Sequence, residues 1–284
     1  MTQTGRRALP ESMIRALRLG RSLAHMSLVP FDYLWRRLNG KGELPPLHLR
    51  RHVGPLRSFE TSGAEFMAYL RLLCRLQPTE RVLDIGCGCG QMALELLDYL
   101  QPHGSYVGVD VHRPSIKWCL RNIGSRHANF KFQYMDVKSD AYNPPGRHSA
   151  DSFDFPFEAG EFDVILLKSV FTHMLPQSVD NYLGETARLL SNNGRCLATL
   201  FLLNEKQRQL AAQGLNQLDF AFGDGPCRSV YKHSPESAIA YDEGFIMGLL
   251  EKHGLALKQP ILYGSWSGLA EGLSYQDILL LEKR

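Results

Sequence analysis

The chain has 284 residues, 44% hydrophobic and 21% charged, which is enough for a large core and excludes wholesale disorder. No run of 18 apolar residues occurs, so no membrane-spanning helix is expected. The net charge of +3 hides an asymmetry: residues 1–57 carry eleven Lys/Arg against Glu11, Asp32 and Glu43, net +8, and the remainder carries 21 against 26, net −5.

The order of the chain begins with a basic arm. Glu11–Val29 reads as an amphipathic helix, with Met13, Leu17 and Leu23 on one half and Arg15, Arg18 and Arg21 on the other. Those arginines interrupt any apolar stretch, so no secretory signal is expected. Asn39–Gly42 and Pro45-Pro46 mark a loop, and a helix is expected over Ser62–Leu76, ending before Pro78. From Arg81 onward, strands alternate with helices. Strands are predicted at Arg81–Ile85, Ser105–Asp110, Phe130–Met135, Phe162–Leu167, Arg195–Leu203, Leu255–Tyr263 and Ser274–Glu282. Helices are predicted at Gln91–Leu100, Pro114–Ile123, Ser178–Leu190 and Pro235–His253. Val137–Gly160 and Asn204–Ser234 read as long irregular connections. This alternation predicts an α/β fold, a mainly parallel sheet with helices on both faces. Ligands of such sheets bind beyond the carboxyl ends of the strands.

Six cysteines (Cys74, Cys87, Cys89, Cys119, Cys196, Cys227) are dispersed through these elements, which suits a reduced, cytoplasmic setting. Cys87-x-Cys89 has no second pair at zinc spacing, so no metal is expected.

The first strand runs into Asp84-Ile85-Gly86-Cys87-Gly88-Cys89-Gly90-Gln91. A glycine turn from strand to helix lets a ligand approach the backbone and exposes helix N–H groups. A dinucleotide fingerprint would need glycine at position 91, where Gln91 stands. Asp84, two positions before the first glycine, suits a cationic amine better than a pyrophosphate. Asp110, at the end of the second strand, can accept both hydroxyls of a ribose. Asp136, after the third, can accept from an adenine amino group. Each acid alone is equally well read as a cap or turn residue. Three of them at successive strand ends weaken that reading.

With Tyr106–Asp110, Gln133–Val137 and Phe162–Lys168 added, these motifs resemble a class I S-adenosylmethionine-dependent methyltransferase, of the bacterial small-molecule type, over roughly residues 60–284. The resemblance implies a doubly wound, Rossmann-like seven-stranded sheet. Its last strand is antiparallel and inserts beside the fifth, and residues 1–60 form a helical arm or lid. It implies that Asp84, Gly86, Cys87, Gly88 and Gly90 serve the methionine moiety of S-adenosylmethionine. Asp110 and Val111 would serve the ribose, Asp136 and Val137 the adenine, and Lys168 and Ser169 would lie along the cofactor. S-adenosylhomocysteine is the implied product. The Asn-Pro-Pro-Tyr motif of amino-group methylators is absent, and Lys168-Ser169-Val170-Phe171 stands there instead.

Methyl transfer to an alcohol or phenol needs the acceptor's proton removed, and His173, just past the fourth strand, is the candidate base. A packing or capping role is the equal alternative. Candidate acceptor-side residues are Tyr142, Phe171, Phe222, Tyr231, His233 and Trp266, with Trp266 slightly favoured as loop packing. The expected activity is methylation of a small-molecule oxygen, on a sugar, glycan precursor or secondary metabolite. Nitrogen or carbon methylation, a nicotinamide oxidoreductase and a non-catalytic interaction protein are the alternatives. The basic arm reads first as a lid, then as a contact for a membrane surface or an anionic substrate. Nucleic acid is not an expected partner, because the charge is confined to one arm and no RNA-binding module is visible.

Overall fold

The computed structural model describes residues 28–54 and 56–284. Most of the expected helix Glu11–Val29 therefore lies outside the described residues. The chain divides into two units, residues 1–59 and 60–284. In the first, α1 runs through residues 28–38 and α2 spans Leu47–Arg50. The loop expected at Asn39–Pro46 joins them.

Helix α3, Phe59–Leu72, starts at the boundary and lies in the second unit from Glu60 onward. A seven-stranded sheet follows, in the order β3 (Phe130–Tyr134), β2 (Ser105–Asp110), β1 (Arg81–Ile85), β4 (Phe162–Leu167), β5 (Leu190–Leu200), β10 (Asp277–Lys283), β9 (Leu255–Leu257). The first five are parallel, with Leu83 of β1 level with Val107 on one side and Ile165 on the other. β10 is antiparallel to β5, pairing Leu279 with Ala198. This is the α/β, Rossmann-like sheet with an inserted antiparallel last strand.

Side chains alternate across the sheet. Leu83, Ile165 and Leu167 face one core with Val179 and Leu183 of α6 (Pro176–Leu189) and Ile246 and Leu250 of α8 (Glu243–Lys252). Val82, Val164 and Leu166 face the other, with Leu70 of α3, Met92 and Leu96 of α4 (Gln91–Leu96) and Ile116 of α5 (Arg113–Cys119). Because β1 to β5 run parallel, their carboxyl ends share one edge.

Two sequence readings are corrected. Asn204–Ser234 contains α7, Glu205–Ala212, whose N-cap Asn204 accepts from the Gln207 N–H at 3.2 Å, and β7, Cys227–Ser229. The expected helix Pro235–His253 starts only at Glu243. Before it, β8 (Ile239–Asp242) lies between β6 (Leu202–Leu203) and β7 in a second, three-stranded sheet. Ile239, Ala240 and Tyr241 are all at most 1% exposed, and such a continuous apolar run fits a strand covered on both faces.

Candidate active site

The glycine loop leaves β1 as an extension of the parallel ladder, with the Gly86 and Cys87 N–H groups donating to the Val109 carbonyl. Gly86, Gly88 and Gly90 have φ of 79°, 55° and 81°. That left-handed backbone disfavours side chains. A Cβ on Gly86 would lie 2.6 Å from Val170 Cγ2. Gly86 is nonetheless exposed, so its bare backbone faces outward. The Cys87 side chain turns inward and is 3% exposed; this residue offers the site its backbone.

Asp110 braces the loop. Its carboxylate accepts from the Gly88 N–H at 2.7 Å and from the His112 N–H at 2.6 Å. A carboxylate has about four lone-pair positions, so capacity remains for further donors. Burial raises its pKa against those N–H groups. Val111, next to it, is half-buried against the core. Asp136 is held by Arg147 and by the Tyr134 hydroxyl at 3.0 Å, and the Arg147 guanidinium keeps its pKa low. The Val137 side chain is core, 1% exposed, so only its backbone is available at this edge.

Asp84 departs from the expected direct contact with a cationic amine. It sits beneath the loop, 2% exposed, and accepts from the Tyr106 hydroxyl at 2.6 Å. Burial lifts its pKa to about 7. Lys168, at the end of β4, is the cation near it. Its Nζ donates to Ser62 Oγ at 2.8 Å and Gln91 Oε1 at 2.5 Å, and lies 4.2 Å from the Phe66 ring centre. Burial lowers its pKa to about 8, and Asp84, Glu65 and Glu95 oppose that shift. Gln91, which breaks the dinucleotide fingerprint, thus positions Lys168.

Ser169 has φ 57°, one of two non-glycine residues among those described with positive φ. It is over-determined: its N–H donates to Thr199 Oγ1 at 2.8 Å, and its hydroxyl and that of Thr199 both donate to Gln276 Oε1. Strain held in this way clusters at ligand sites. Immediately after it, a single 3₁₀ turn, Phe171–His173, carries His173. Its Nδ1 lies 2.8 Å from the Glu236 carbonyl and its ring meets Tyr142 edge-on at 5.6 Å. A carbonyl accepts only, so Nδ1 carries the proton and Nε2 the lone pair. Burial lowers the pKa of the ring, which keeps it neutral. The Asp140 N–H donates to Glu236 Oε2 at 3.2 Å, closing two loops over this histidine.

Sequence similarity assigns the frame around this edge. Residues 83–198 match the family described as "Methyltransferase domain". Residues 83–198 therefore carry a methyltransferase domain. The chain is 28% identical over 144 residues to the probable cobalt-precorrin-6B C(15)-methyltransferase (decarboxylating) of Thermoplasma acidophilum. That match spans 50% of this chain and 64% of the relative's length. In fold it is similar to the PH0226 protein of Pyrococcus horikoshii, at TM-score 0.52 and 15% identity, over 80% of this chain and 91% of the other. It is also similar to the 1,6-didemethyltoxoflavin-N1-methyltransferase of Burkholderia thailandensis, whose structure holds S-adenosylhomocysteine. There the TM-score is 0.51 and the identity 15%, over 92% and 90% of the two chains.

S-adenosylmethionine is the methyl donor of this family, and the residues present fit it. The side-chain-free cradle at Gly86, the anchored acceptor at Asp110 and the half-buried ammonium of Lys168 match a molecule with a hydroxylated ribose and an amino-acid tail. Among the described residues, no group of three His, Cys, Asp or Glu is placed to hold a metal ion.

The acceptor-side expectations divide. Tyr142 is brought to His173. Phe171 is core, 2% exposed, and so is Trp266, whose indole N–H donates to Asp277 at 3.0 Å while its ring packs on Phe201 and Phe220. Trp266 is therefore loop packing and offers no face for a sugar. Phe222, Tyr231 and His233 are exposed around β7, without a contact to His173. The sequence reading missed Ser62, Thr199, Glu236, Gln276 and Asp277. They are single polar residues with no motif, and only Gln91 carried a signal.

Proposed function

We propose that this methyltransferase methylates an oxygen of a small molecule, a sugar or other hydroxylated metabolite, with His173 as the base. The placement of His173 carries this reading. Its proton is held on Nδ1 by the Glu236 carbonyl, it is neutral, and it stands at the carboxyl edge of the sheet, one turn past Ser169.

When bound, the donor supplies an electrophilic methyl on a sulfonium, so the protein's work is alignment and exclusion of water. The backbone at Gly86, Gly88 and Gly90 would hold the methionine portion. Asp110 would accept from the ribose hydroxyls and Asp136 from the adenine amino group. His173 Nε2 would take the acceptor hydroxyl's proton as the oxygen is methylated. Tyr142 and the Asp140–Glu236 contact shield the ring while it does so.

A nitrogen or carbon acceptor is the second reading, because the two methyltransferases named above act, by their names, at carbon and at nitrogen. An amine with a free lone pair needs no base, and this separates the two. Labelled S-adenosylmethionine with panels of alcohols, phenols, sugars and amines identifies an acceptor. On that acceptor, His173→Ala is expected to lower turnover about 100-fold or more. The affinity for S-adenosylhomocysteine, measured by calorimetry, should stay within about twofold. Unchanged turnover would refute the base.

A further inference from the structure

Helix α1, residues 28–38, is inverted relative to a helix of a folded domain. Such a helix buries its apolar stripe and exposes its charges. Here Asp32 and Arg36 are buried, and the apolar side is outside: Leu28, Phe31, Leu34, Trp35 and Leu38 are 49%, 70%, 53%, 45% and 76% exposed. At about 100° per residue these five form one continuous band, roughly 120° wide.

The charged side is satisfied from within the unit. Asp32 accepts from Arg36 Nε at 3.0 Å, from Arg50, and from the Leu47 N–H at 3.1 Å, and Arg36 also donates to the Leu44 carbonyl at 2.7 Å. Asp32 thereby ties α1 to α2 with the helix turned this way round. The orientation is built in, and it presents a band of large apolar side chains that a lone soluble surface avoids.

We propose that this band docks on the surface of an anionic lipid bilayer. Charge favours that occupant. Residues 1–57 carry net +8, and Asp32, the one acid within α1, is already neutralised by two arginines. A strongly basic segment with an apolar, aromatic-containing stripe combines electrostatic attraction to acidic headgroups with burial of side chains at the acyl boundary. Trp35, within the band, is a residue type suited to that interface.

The test uses the full chain, sedimented with vesicles of phosphatidylcholine alone or of phosphatidylcholine mixed with phosphatidylglycerol. Binding is expected to the mixed vesicles only, weakening as salt rises. The double variant Phe31→Ser, Leu38→Ser removes the two most exposed side chains of the band. It is expected to bind at least about tenfold less well, with unchanged circular dichroism and unchanged S-adenosylhomocysteine affinity. Three results would overturn the proposal: no binding of the parent protein at low salt, equal binding of the variant, or a dimer that the variant converts to monomer without any vesicle binding. The last would assign the band to a second copy of the chain.

Discussion

Lys168 shows how much depends on a single side chain. It stands where the fourth strand ends, held by Ser62 and Gln91 over the Phe66 ring, its charge balanced by the buried Asp84. An ammonium held there keeps one of its three N–H donors and suits the carboxylate of the cofactor's methionine tail. Lys168→Met keeps the volume and removes the charge. A charge-assisted hydrogen bond is worth about 1.5–3 kcal/mol, so S-adenosylhomocysteine should bind about ten- to a hundredfold more weakly. Methylthioadenosine, which lacks the tail, should bind both proteins alike. The pKa of Lys168 is lowered to about 8, so its charge is present below that value and lost above it. The gap between parent and variant should accordingly narrow as pH rises through 8. Equal losses for both ligands would assign Lys168 a purely structural part.

Among the elements, the glycine loop was the most legible, because its spacing and its strand-to-helix setting are local. The reason Gly86 must be glycine was not local. Its φ of 79° and the Val170 methyl 2.6 Å from a would-be Cβ come from a segment more than eighty residues away. Gly86→Ala is expected to cost about 1–3 kcal/mol of stability and to weaken cofactor binding, read by urea unfolding and calorimetry. A variant of parental stability and affinity would show that Val170 yields freely. The β6–β8–β7 sheet was illegible for a related reason. Leu202-Leu203, Cys227–Ser229 and Ile239–Asp242 are too short to announce themselves, and pairing alone makes them strands.

For the molecule as a whole, Asp277 joins the two sheets. At the start of β10 it is fully buried and accepts from the Leu202 N–H of β6 at 2.7 Å, the Gly264 N–H at 2.6 Å and the Trp266 indole. Burial lifts its pKa to about 7, against those three donors. Between about pH 4 and 7 the native carboxyl keeps a proton that the unfolded chain has lost, so this group's contribution makes stability fall as pH rises through that window. Asp277→Asn removes that slope. It also turns an N–H₂ toward N–H donors, an unsatisfied arrangement worth about 1–3 kcal/mol of destabilisation. Thermal unfolding followed across pH should show the variant less stable and flatter over this range. An unchanged slope would mean that Asp277 is ionised throughout.

The sequence by itself marked the strands of the large sheet in chain order and the motifs that point to a cofactor edge. Strand alternation, the glycine turn and acids at strand ends are short-range patterns that the backbone obliges. It also revealed the basic arm, because charge is additive along a chain. The tertiary structure decided which residues meet. It placed Asp84 under the loop, aimed Lys168 at Gln91, set His173 on the Glu236 carbonyl, buried Trp266 and turned the apolar side of α1 outward. Each of these rests on partners distant in sequence or on a choice between two faces, and only packing makes that choice.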